Sequence, residues 1–102
     1  MAIVLDGDIC NIDITAFIGG VHGDTNATYL VGEVDDASKR LVDVTRECLD
    51  RGIAAVVPGR PFSDIGRAIE EHATANRYQV VRAFVGHGQL RDVVQGGLDR
   101  KQ

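Results

Sequence analysis

Two runs rich in β-branched and aromatic residues, DICNIDITAFI (8–18) and VHGDTNATYLV (21–31), stand on either side of Gly19-Gly20. This pattern predicts a β-hairpin, because a two-residue turn requires positive φ at its centre and glycine supplies it without steric cost. With Gly19 and Gly20 at the centre, opposite residues carry numbers summing to about 39, so Asp13 faces Asn26. Asp24 lies two residues before Asn26. Side chains alternate with period two, so Asp24 is expected to share a face with Asp13 as a diagonal cross-strand neighbour roughly 7 Å away. A one-residue slip would send the two carboxylates to opposite faces, so register decides the chemistry.

Two adjacent anions on a strand face read as otherwise stocked with Ile12 and Ile14 repel each other, and burying them is costly unless protons or cations neutralise them. Divalent metal ions resolve that conflict. A pair of ions about 3.5–4 Å apart activates a water and polarises a carbonyl. His87, in the Gly-His-Gly of residues 86–88, offers a nitrogen donor. An oxygen-rich set with one imidazole suits Mn, Fe(II), Co or Zn. On spacing alone, two solvated surface aspartates and a loop histidine fit these residues as well. His22 is assigned to the strand face opposite Asp24, and His72, which follows Glu70-Glu71, to a solvated helical stretch.

After the hairpin, Gly32-Glu33-Val34-Asp35-Asp36 predicts a polar turn with helix-capping residues. Apolar residues at Leu41, Val44, Cys48, Leu49, Ile53 and Val56 then predict a helix over about 36–55. Val57-Pro58-Gly59-Arg60-Pro61 stops it, since proline removes a donor and restricts the residue before it. A second helix is expected from Ser63, with an inner stripe of Phe62, Ile65, Ile69 and Ala73, close approach at Gly66, and Asn76 as a left-handed terminal residue. Residues 78–85 read as a strand. The fold class expected is therefore α/β (α+β), a hairpin followed by two helices and a strand.

At 102 residues, 44% hydrophobic and 25% charged, the chain is at most one soluble domain. Its formal net charge of −4 argues against nucleic acid as a partner. Cys10 and Cys48 have no short spacing, and no segment reads as an export signal or membrane span. A soluble protein of the reducing cytoplasm, with no membrane partner, is expected.

The stretch DGDICNIDITAFIGGVHGDTNATYLVG, followed by VVRAFVGHG, resembles bacterial type I methionine aminopeptidases over about residues 4–88. The resemblance rests on Asp-x-Thr at 13–15, ten residues between the two aspartates, His-Gly-Asp-Thr at 22–25 and Gly-His-Gly at 86–88. Proline peptidases share the aspartate spacing but differ around it. The resemblance implies part of a pita-bread fold, two divalent ions (Co, Mn, Fe or Zn), and removal of initiator methionine from nascent polypeptide N-termini. It carries metal-ligand roles onto Asp13, Asp24 and His87, with Asp24 bridging the ions.

Two later glutamates that complete the family's cage have no counterpart here. A second active-site histidine is expected seven residues after His87, where this chain has Val94. Residues 89–93, Gln-Leu-Arg-Asp-Val, also depart from the family pattern, which suggests a frameshift or gene-model error near Gly88. The organisation expected is thus an incomplete metallopeptidase catalytic domain over 1–88 and a divergent tail over 89–102. Such a chain is expected to leave Ile and Val faces wet and to be inactive alone. A noncatalytic remnant, or a metal- or protein-binding module, is the alternative.

Overall fold

The computed structural model describes residues 2–83. Their elements, in chain order, are β1 (Ile9–Ile18), β2 (Val21–Leu30), α1 (Asp36–Ala54) and α2 (Ser63–Ala75). The chain divides into two compact units between Asp43 and Val44.

In the first unit β1 and β2 pair antiparallel from Ile9 opposite Leu30 to Ile18 opposite Val21, the expected register. Gly19 (φ 61°) and Gly20 (φ 82°) make the turn in the left-handed region. At the open end the ladder continues through Gly7 N–H to Val31 C=O (2.8 Å) and Val31 N–H to Asp8 C=O (2.9 Å). There Asp6 Oδ1 accepts the Glu33 N–H at 2.7 Å. A Cβ added at Gly32, whose φ is 64°, would lie 1.7 Å from that same oxygen. Glycine is therefore required by both backbone and space.

α1 begins where the capping residues predict. The Asp35 carboxylate accepts the Ser38 N–H at 2.9 Å and the Ser38 hydroxyl at 2.7 Å, satisfying a donor that the first turn leaves open. These two bonds from Ser38 hold the Asp35 carboxyl below its ordinary pKa.

The second unit is built on a short stripe. Val44, Cys48 and Ala73 form its buried cluster, with Ile69 and Tyr78 packed against it. Val44, Cys48 and Gly52 recur every four residues on α1, as Ile65, Ile69 and Ala73 do on α2, so each row lies along one helix face. The close approach occurs at Gly52, where an added Cβ would sit 3.0 Å from Ile69 Cδ1. Gly66, the expected contact glycine, has nothing within 4 Å. The predicted α1 stripe was too wide. Leu41, Leu49 and Ile53 are exposed, because helices this close at a glycine need only the narrow 44–48–52 row.

The strand predicted over 78–85 is absent from its described part. Residues 78–81 have no regular structure and 82–83 form a turn, while 84 and 85 lie outside the described residues. α2 ends in a Schellman motif that recruits Tyr78 instead. Its N–H bonds the Ala73 carbonyl at 2.8 Å and the Arg77 N–H bonds the Thr74 carbonyl at 3.0 Å. Arg77, not Asn76, is the left-handed residue (φ 66°). Asn76 stays right-handed, and its side-chain amide donates to the His72 carbonyl at 2.9 Å. His72 is not solvated: only 13% of its side chain is exposed, and Nε2 meets Glu47 Oε2 at 2.6 Å.

Candidate metal centre

The expected face of the hairpin forms. Asp13 is opposite Asn26 and Asp24 opposite Thr15, so the two carboxylates are diagonal neighbours on one side of the sheet. Backbone pairing on both strands determines this, since every inter-strand bond between the turn and Ile9 would have to shift for either aspartate to change sides.

The surroundings of the pair differ from expectation. Ile12 and Ile14 alternate with Asp13 and so lie on the other face. The aspartates share theirs with Asn11, Thr15, Asn26 and Thr28, all polar. Their attraction for a cation therefore comes from mutual repulsion of two anions, not from burial among isoleucines. Neither strand contains Lys or Arg to neutralise them. His22 also belongs on this face. It lies two residues from Asp24, and a period of two returns the side chain to the same side. Its ring meets Phe17, its cross-strand partner, with centroids 4.7 Å apart. Alternation alone carried that signal.

Side-chain hydrogen bonds organise the face around the pair. Thr15 Oγ1 donates to Asp24 Oδ1 at 2.9 Å. Asn11 Nδ2 donates to Asn26 Oδ1 at 3.1 Å and to Thr28 Oγ1 at 3.0 Å. His87 lies outside the described residues. Among the described residues no group of three or more His, Cys, Asp or Glu side chains is placed to hold a metal ion. What the hairpin offers is a two-carboxylate edge of a coordination sphere, an oxygen donor set suited to hard or borderline divalent ions.

Both cysteines are free thiols. Burial is the main influence pushing Cys48 up from its ordinary pKa, and its Sγ lies 3.7 Å from the Ile69 carbonyl, which marks a packing thiol and not a nucleophile. No helix among the described residues is long and apolar enough to cross a membrane.

Comparison with known proteins gives one consistent answer. Residues 2–99 match the sequence model of metallopeptidase family M24. The chain is 58% identical over 86 residues to methionine aminopeptidase 2 of Mycobacterium tuberculosis, covering 84% of this chain and 30% of that one. It is 56% identical over 82 residues to the chloroplastic methionine aminopeptidase 1B of Arabidopsis thaliana, covering 80% and 22%. Among solved structures, the methionine aminopeptidase of Rickettsia prowazekii superposes with a TM-score of 0.77 at 45% identity, over 80% of this chain and 33% of that one. That of Thermotoga maritima gives 0.78 at 41%, over 81% and 33%. The chain thus spans a third or less of the length of these relatives. The hairpin and two helices are part of the pita-bread α/β fold of these neighbours, and the chain belongs to metallopeptidase family M24.

Proposed function

We propose that this chain carries the paired-aspartate segment of a methionine aminopeptidase, a metal-dependent hydrolase that removes initiator methionine from nascent polypeptides in the cytoplasm. The observation that carries this reading is the register: Asp13 and Asp24 share one polar face of a hairpin in a chain whose relatives at 50–60% identity are named methionine aminopeptidases. Asp13 and Asp24 would supply carboxylate oxygens, and His87 an imidazole nitrogen, to two divalent ions drawn from Co, Mn, Fe and Zn. When bound, such ions supply Lewis acidity toward a water and a carbonyl oxygen. The side chains' own part is to hold the ligands on one side of a register-locked sheet. Residues 1–88 form the catalytic segment in this reading and 89–102 a divergent tail.

Titration of the 102-residue chain with Mn(II) or Co(II), with cleavage of a Met-Ala-Ser peptide followed in parallel, tests this directly. Metal uptake that disappears in Asp13→Ala and Asp24→Ala is the expected result. Cleavage lost in the same variants would show a complete catalyst, and uptake without cleavage would show ligands that do not suffice for turnover. Uptake indifferent to both substitutions would sink the ligand assignment.

A further inference from the structure

On the face that holds the aspartates, one neutral side chain aims its donor at a ligand. Thr15 stands directly opposite Asp24, and its hydroxyl donates to Oδ1 at 2.9 Å. We propose that Thr15 is a positioning residue for metal binding, turning and holding the Asp24 carboxylate for a divalent ion; this rests on the ligand reading above.

An aspartate on an exposed strand turns about χ1 and, more loosely, about χ2, whose preference is broad and two-fold. Binding an ion must stop both rotations, and any group that stops them beforehand raises affinity. Thr15 is suited to that task in two ways. Its branched Cβ restricts χ1, so the strand backbone sets the direction of the hydroxyl. Its donor is uncharged, so the hydrogen bond to the carboxylate gains strength from the acceptor's charge without cancelling it.

A lysine or arginine here would orient the carboxylate equally well but compete with the ion, and neither residue occurs in β1 or β2. The Asn11 amide, bonded to Asn26 and Thr28, ties the next positions of β2 to β1 on the same face. Asp24 is thereby oriented by Thr15 on a strand whose register is already held beside it.

The experiment uses the 102-residue chain with Mn(II) as probe, reading paramagnetic broadening of the Asp13 and Asp24 amide resonances as metal is added. Native protein, Thr15→Val, Thr15→Ser and Asp24→Ala are compared. Valine keeps the branched shape and strand preference but removes the donor, whereas serine keeps the donor. Thr15→Val is expected to weaken Mn(II) binding about tenfold or more, the usual cost of losing a group that orients a ligand. Thr15→Ser should stay close to native, with cross-strand contacts between Asp13 and Asn26 intact in every variant.

Four results would overturn the proposal. Native-strength binding by Thr15→Val, with binding lost in Asp24→Ala, removes the role of Thr15 and leaves the ligand reading standing. A serine variant as weak as the valine one shows that the hydroxyl is not the cause. Loss of the Asp13–Asn26 contacts in Thr15→Val assigns Thr15 a structural role. Absence of broadening in the native chain overturns the ligand reading and this inference with it.

Discussion

In the hairpin, ten residues of each strand pair in an unbroken register, while Ile14 on its apolar face remains 60% exposed and Val21 68%. In the helix pair the order is reversed: Val44, Cys48 and Ala73 are buried, and Gly52 lets Ile69 come close. One region is specified by its backbone ladder and turn glycines, the other by a few buried side chains and a missing Cβ. The candidate ligands are on the region that burial does not specify. Their placement depends on register alone, and register survives partial exposure of the apolar face because each residue of the ladder contributes separately.

The sharpest way to break this comparison is at the base of the hairpin. Gly32→Val forces a branched side chain into left-handed backbone and drives Asp6 off the Glu33 N–H, for an expected loss of about 3 kcal/mol. Tyr29 lies in β2 and Tyr78 packs on the helix cluster, so their ring resonances report the two regions separately in a urea titration. Tyr29 should respond at lower urea than in the native chain. An unchanged Tyr29 midpoint would show that the base of the hairpin matters less than the ladder.

Gly52→Leu tests the other side. Extra volume against Ile69 and Ile65 should cost about 2 kcal/mol, read at Tyr78. If Tyr29 moves as far as Tyr78, the two regions do not differ in the way described.

The smallest expected effect concerns Asp35 and pH. Its folded pKa is lowered by the Ser38 hydroxyl and N–H. A depressed carboxylate contributes stability above its unfolded pKa, and that contribution is lost as pH falls through the folded value. Helical circular dichroism should therefore decline as pH drops below about 4. Asp35→Asn should flatten that part of the profile, and an identical acid limb in the variant would show that the cap carries no pH dependence.

Legibility followed the range of the interaction. The register of Asp13 and Asp24 was readable because a Gly-Gly turn and a period of two are both local. The extent of α1 was readable from its cap and the Pro58-containing stop. His22 was readable too, since counting by two from Asp24 places it beside the pair, although it was first put on the other face. Gly66 and Gly52 could not be told apart in sequence, because which glycine meets a neighbour depends on how two helices cross. The same holds for His72, whose solvation was misjudged because Glu47 is distant in the chain but near in space.

Residues 78–83 show the limit most directly. Their composition suits a strand, yet a strand exists only where a neighbour completes its hydrogen bonds. Tyr78 instead spends its N–H on the Ala73 carbonyl and closes α2. By itself, the sequence determined the hairpin, its turn, the face shared by the two aspartates and the start of the first helix, because each depends on neighbours within a few residues or across a two-residue turn. Tertiary structure alone decided which glycine the helices close upon, which histidine is enclosed and where the second helix hands over to Tyr78, because those outcomes depend on contacts between segments far apart in the chain.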